Sequence, residues 1–214
     1  MKKRFLSIVM MCLMVFLLTA CGNKNDDLQS NLKDEDITQE KMSEALENHK
    51  LWLAVVTDEV HIAKDDELRA VYTFEDGMLT AYAPDDRMSI GDLKGMSDEE
   101  ILDMMKKYKV DGTPTKYTLE GETDDTGNYL LTESIEIDSS VSDTYRIINW
   151  WLGDNDYSPC YNGYTIYDNI YNGFYYTWNK ASGESTFLIT RMKGGEPPQA
   201  FMLDDTDTKG IEVD

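Results

Sequence analysis

Hydrophobic and polar positions divide the chain into stretches with different periods. Phe5 to Leu18 is apolar except for Ser7, whereas Gly22 to Asp36 is polar except for Leu28 and Leu32 and carries Asp26, Asp27, Asp34, Glu35 and Asp36. The second stretch has the composition of a flexible spacer, because it holds too little apolar surface to offset the entropy of ordering it. From Ile37 the apolar positions Met42, Ala45, Leu46 and Leu51 recur at helical spacing, with Asp36 or Thr38 able to cap the first turn. A second helix is marked by the capping box Ser97-Asp98-Glu99-Glu100, continues through Ile101, Leu102, Met104, Met105 and Tyr108, and ends at Asp111-Gly112.

The remaining chain has the signature of strands. Ala70 to Phe74 and Met78 to Ala83 flank Asp76-Gly77, a strong hairpin signal, and Lys116 to Glu120 and Tyr129 to Ile137 flank the turn-rich Gly121 to Asn128. Two Asn-Gly pairs, 162 to 163 and 172 to 173, bracket Tyr164 to Tyr171, and Phe174 to Trp178 turns through Lys180-Ala181-Ser182-Gly183 into Thr186 to Met192. Hairpin after hairpin predicts an antiparallel meander with an N-terminal helix and one inserted helix, an α+β chain that either closes into a small barrel or curls around the helices as an open sheet. Tyr145 to Leu152 fits a short helix or a buried strand equally well. Trp52 on a first strand and the hairpin Tyr72-Thr73-Phe74-Glu75-Asp76-Gly77 resemble lipocalin-type domains. The likeness carries no signature motif and implies a shape, since such barrels host many unrelated functions.

The N-terminus has the order of an export signal. Lys2, Lys3 and Arg4 precede the apolar run, which is short of the roughly 20 residues that cross a bilayer, so a cleaved leader is favoured over a retained transmembrane anchor. Leu18-Thr19-Ala20-Cys21, followed by Gly22, resembles the lipobox of bacterial lipoproteins. In that family a diacylglyceryl group is attached to the Cys thiol, the leader is cut off just ahead of it, and the new amino group is open to a further acyl chain such as palmitate. The resemblance implies lipidation at Cys21, a leader over 1–20, an acidic linker over 21–36 and one extracytoplasmic domain over 37–214 held to the cell membrane. Each buried methylene contributes about 0.8 kcal/mol and one acyl chain binds only marginally, so two or three chains on one residue make a stable tether.

Charge and cysteine content agree with an exported body. The 214 residues include 20 Lys plus Arg against 41 Asp plus Glu, a formal charge of −21 with no basic stripe, which excludes a nucleic-acid partner. Of the three cysteines, Cys12 would leave with the leader and Cys21 would become a thioether, so Cys160 would be the sole free thiol and no intramolecular disulfide is expected.

Candidate chemistry is sparse, and no cofactor is expected. Asp205-x-Asp207-x-Lys209-Gly210 imitates a calcium loop, but Lys209 occupies a ligand position and the bidentate position would lie beyond Asp214. Asp154-x-Asp156-x-Ser158 has Pro159 where the turn needs Gly, so neither predicts a metal site. Nucleophile-elbow, His-Glu-x-x-His, phosphate-loop and Cys-x-x-Cys motifs are absent, and His49, His61 and Cys160 read as ordinary residues. Glu133 is the exception. Period-2 alternation puts Tyr129, Leu131, Glu133, Ile135 and Ile137 on one face, so this carboxyl interrupts an apolar row. Buried there it would need a partner, for which Arg69, Arg146 and Arg191 are placed. The favoured alternative is a bulge that turns Glu133 to solvent.

Aromatic residues concentrate between Tyr145 and Trp178, which holds 12 of the chain's 23. Trp150, Trp151, Tyr164, Tyr167, Tyr171, Tyr175 and Trp178 form the candidate ligand surface for a glycan, peptide or protein, set against the favoured reading as cross-strand pairs that fill a core. The expectation is a lipid-anchored, extracytoplasmic binding protein without catalytic activity, recognising a cationic protein or peptide or a cell-surface glycan. The alternatives are a surface hydrolase using Glu133 and a structural or sensory accessory lipoprotein of a membrane complex. For the anchor, Cys21→Ser is expected to move the protein from the detergent phase to the aqueous phase in phase partitioning, and unchanged partitioning would count against it.

Overall fold

Strand alternation carries through most of the chain and resolves into a closed sheet. The computed structural model describes residues 38–57, 59, 61–84, 87–137, 157–176, 185–193 and 199–213. In order these form β1 (Thr38–Lys41), α1 (Met42–Asn48), β2 (Trp52–Thr57), β3 (Glu67–Glu75), β4 (Met78–Tyr82), β5 (Met88–Ser89), a 3-10 turn (Ile90–Leu93) and α2 (Asp98–Met105) with a 3-10 extension (Lys106–Tyr108). There follow β6 (Thr115–Thr123), β7 (Leu130–Ile137), β8 (Tyr157–Ile166), β9 (Asn169–Tyr176), β10 (Ser185–Arg191), β11 (Gln199–Met202) and β12 (Ile211–Val213). Among the described residues no helix is long and apolar enough to cross a membrane.

Strands β2, β3, β4, β6, β7, β8, β9 and β10 pair antiparallel in sequence order, and β10 returns to pair with β2. Of the two arrangements expected, the closed barrel is the one adopted, with the up-and-down order of lipocalin-type barrels. Cross-strand partners share a face, so the register separates inside from outside. Trp52, Ala54, Ala70, Tyr72, Phe74, Leu79, Leu119, Ile135, Tyr157, Phe174 and Leu188 are buried in one inner core. Leu53, Val55, Leu68, Val71, Phe187 and Ile189 face outward and are buried in a second core under Ile90 and Leu93 of the 3-10 turn and Ile101 and Met105 of α2. The inserted helix is thereby explained: one flank of the barrel is apolar on both faces and requires a cover. The Ser97 capping box forms as expected, Ser97 N–H donating to Glu100 Oε2 at 2.8 Å and Glu100 N–H to Ser97 Oγ at 3.2 Å.

One end of the barrel is closed by α1 and by the two-stranded parallel sheet of β1 and β11. Met42, Ala45, Leu46 and Phe201 belong to the inner core, and the Phe201 ring lies 5.6 Å from that of Phe174 and 5.7 Å from that of Trp52. Trp52 satisfies its own polar group by donating Nε1–H to Leu46 O at 3.3 Å. A seven-residue helix is too short to persist by itself, and tertiary bonds at both ends hold α1 in place. Thr38 lies in β1 rather than at a cap position, and it is Asp204 that serves the N-terminus: Oδ2 accepts Ser43 N–H at 2.8 Å and Oδ1 accepts Ser43 Oγ–H at 2.7 Å. Further along α1, Glu47 accepts the Asp76 and Gly77 N–H groups at 2.9 and 3.0 Å and the Tyr117 hydroxyl at 2.9 Å.

The two Asn-Gly pairs depart from expectation. They lie inside β8 and β9, and the reversal between these strands falls at Tyr167-Asp168, both left-handed at φ 49° and 62°. Asn162-Gly163 sits in a bulge of β8, where register shifts between Cys160 and Tyr164. Gly173 has another function. A Cβ there would stand 2.1 Å from Leu188 O, so a glycine permits β9 to approach β10. Gly173→Ala is therefore expected to destabilise the domain by about 1–3 kcal/mol in denaturant unfolding.

Candidate functional site

Glu133 is fully buried, at 0% relative exposure, among the inward side chains of β7. A bulge does occur in this strand, as the register shift against Glu122 and Thr123 leaves Leu131 without an opposite residue. It lies two residues before Glu133, so it is Leu131 that turns outward, 54% exposed, while Leu130 covers Gly121 and Glu133 stays inside. The expected turn of Glu133 to solvent is thus corrected. Of the arginines expected to partner it, Arg69 lies with Glu67 at 3.0 Å and Arg191 with Asp98 at 3.4 Å, and Arg146 falls outside the described residues.

Glu133 Oε2 accepts the Asp204 N–H at 2.7 Å, and Oε1 is buried with no hydrogen-bond partner. Burial pushes the Glu133 carboxyl up to about 8; the Asp204 amide opposes this and the Asp204 carboxylate adds to it, while Lys41 pulls the other way. At neutral pH the carboxyl carries its proton. Two carboxyl groups thus converge, as an acid–base mechanism would ask, yet Asp204 is also buried at 4% exposure and neither opens onto a cleft.

Of the four described members of the expected aromatic surface, three are engaged in packing. Tyr171 is buried at 3% exposure in the outer core, which removes it from any ligand surface, and Arg191 lies over its ring at 5.8 Å. Tyr164 and Tyr175 are half-buried and pack on Phe187 at 5.7 and 6.1 Å between ring centres. Tyr167 is 38% exposed at the hairpin tip, with Lys94 Nζ 4.5 Å from its ring centre. Trp150, Trp151 and Trp178 lie outside the described residues, as do Cys21 and the ambiguous segment 145–152.

Two features escaped the sequence reading. His49 follows α1 and places Nε2 3.0 Å from Glu40 Oε2, while Asn48 donates to Glu40 Oε1 at 2.9 Å, a largely buried pair tying β1 to the end of α1. No local pattern announced it, since the residues flanking Glu40 in β1 are polar and its burial follows from lying opposite Phe201 of β11. The second is a groove of about 410 Å³ where the ends of β2 and β3 meet β5. Asp65, Asp66, Glu67 and Asp92 line it together with Arg87, Val56 and Met88, and Lys64 pairs with Asp65 at 2.7 Å as Arg69 does with Glu67 at 3.0 Å. Asp66 engages the Ala63 N–H through Oδ2 at 2.6 Å and Asp92 the Ser89 N–H through Oδ2 at 2.8 Å. The 205–210 turn, in contrast, is closed on itself: Asp205 N–H donates to Thr208 Oγ1 at 3.1 Å, and the Asp205 carboxylate is engaged by Lys41 at 2.9 Å.

The chain matches no protein-family model, no curated protein and no solved structure.

The state of Glu133 is open to measurement. The folded chain holds this proton up to about pH 8 and the unfolded chain only to about 4.5, so its stabilising contribution is complete below 4.5 and is lost as pH rises to 8. Between these limits the stability of the parent relative to Glu133→Gln is expected to fall by up to about 1.4 kcal/mol per pH unit. Urea midpoints of the two proteins measured from pH 5 to pH 8 check this, and a constant difference would contradict it.

Proposed function

We propose that this chain is a lipid-anchored, extracytoplasmic interaction module without catalytic activity, whose barrel presents an acidic groove to a cationic protein or peptide. The single observation that carries the reading is the groove at the β2–β3–β5 rim, lined by four carboxylates, of which Asp65 is paired with Lys64 and Glu67 with Arg69, in a concavity large enough for a lysine or arginine side chain and its flanking backbone. The lipobox resemblance at Cys21 supports attachment to the outer face of the cell membrane through diacylglycerol.

Several observations favour this reading over the others. The inner core is filled by aromatic and aliphatic side chains, which suits a rigid platform that recognises partners at its rim. A hydrolase using Glu133 would need substrate to reach a carboxyl that is fully enclosed. Among the described rings of the surface expected to stack on a glycan, Tyr171, Tyr164 and Tyr175 are engaged in packing and Tyr167 alone is exposed. The net charge of −21 would also draw cationic partners from a distance and speed their encounter.

The test is binding of a fluorescent lysine- and arginine-rich peptide, with a neutral peptide of equal length as control. Asp65→Lys is expected to weaken binding about tenfold, equivalent to about 1.4 kcal/mol, and Arg87→Ala to tighten it. Added salt should weaken binding to the parent. Binding unaffected by both substitutions and by salt would remove the groove from consideration.

A further inference from the structure

The cap of β1, α1 and β11 meets the barrel through both apolar and carboxyl groups. Its apolar part is the packing of Met42, Ala45, Leu46 and Phe201 on Trp52 and Phe174. Its carboxyl part is the meeting of Glu133, on the barrel wall, with Asp204, which follows β11. Asp204 donates its N–H to Glu133 Oε2 at 2.7 Å while its own two oxygens hold Ser43 in the first turn of α1. One residue therefore ties the wall to β11 and to α1 together. On the barrel wall Glu133 lies opposite Tyr157 of β8.

We propose that the Glu133–Asp204 contact is a proton-operated latch that holds the β1–α1–β11 cap on the end of the barrel. With the proton present, Glu133 is neutral where it meets Asp204, whose N–H it accepts at 2.7 Å. When the proton leaves, a buried anion stands beside the Asp204 side chain, and its Oε1 has no hydrogen-bond partner among the described residues. The relief available is separation of the cap from the wall, which admits water to both groups.

The neighbouring groups set the direction. From the segment after β11 comes Asp204, whose N–H favours ionisation while its side chain opposes it. From β1 comes Lys41, which favours ionisation but is held by Asp205 at 2.9 Å. Across the β6 and β8 ladders Glu133 meets Gly121 and Tyr157, neither of which supplies a cation. Alkaline conditions thus loosen the cap and mildly acidic ones seat it. Because β1 opens the described domain directly after the linker, release of the cap lengthens the segment leading into the barrel.

Amide exchange of the full chain in detergent tests this. At every pH the amides of Ser43 to Asn48 and of Asp204 are expected to be less protected than those of β2, β3 and β10, because the cap opens while the barrel stays folded. Protection of the cap, corrected for the intrinsic pH dependence of exchange, should fall by about tenfold from about pH 7 to pH 9 in the parent and remain level in Glu133→Gln. In Lys41→Met the fall should move to higher pH, which gives a reading should the Gln variant not fold. Equal protection of cap and barrel at every pH, the same profile in parent and Gln variant, or a profile unmoved by Lys41→Met would each overturn the latch.

Discussion

The ladder between β10 and β2 is the constraint on which everything else depends. Six residue pairs, from Ser185–Thr57 to Thr190–Trp52, join the last barrel strand to the first and convert a meander with two raw edges into a ring. Closure gives the inner core its walls, positions Trp52 to receive α1 and Phe201, and fixes which residues of β2 face outward beneath α2. Remove the ladder and both cores lose a side: Ala54 and Leu188 are neighbours in the inner one, Val55 and Phe187 in the outer one.

A small barrel that is apolar on both faces of one flank must place its polar groups with care. The rim at the top of β3 shows how this is arranged. The register of β3 against β2 slips between Leu68 and Ala70, which makes Arg69 a bulge residue and sets it with Glu67 at the edge of the interior. Deeper inside, Tyr72 is fully enclosed, and burial first, then Tyr157, drives its phenol well above the ordinary range while Arg69 opposes them. Glu133 completes the series at the opposite wall. The remaining carboxylates of this end, Asp65, Asp66 and Asp92, line the groove at the rim.

Local signals were legible wherever a few adjacent residues decide the outcome. The Ser97 capping box, the Asp76-Gly77 turn and the alternation of β3, β4, β6 and β7 appear where the residue pattern puts them. Misreadings occurred where a distant segment decides. Asn172-Gly173 has a turn's composition, but Gly173 is required because Leu188 O comes too close for a side chain. The first turn of α1 is satisfied from Asp204, 161 positions away, so no neighbouring residue advertised it. Glu133 illustrates both limits: alternation correctly identified it as the interruption of an apolar row, and a bulge was foreseen, but its position at Leu131 depends on pairing with β6. The groove could not have been read at all, since its lining comes from three separate segments.

The closing ladder also governs the order in which the molecule is built. Trp52 belongs to the first barrel strand and its partner Thr190 to the last, so every intervening strand must be available before the ring can form. Pairings this remote in sequence are slow, because the entropy of a long loop is spent before any contact rewards it. Until then β2 waits with an unoccupied edge of Leu53, Ala54, Val55 and Val56, a segment prone to stray pairing. Closure of the barrel is therefore timed by β10, and whatever shields β2 during that interval decides the yield of native molecules.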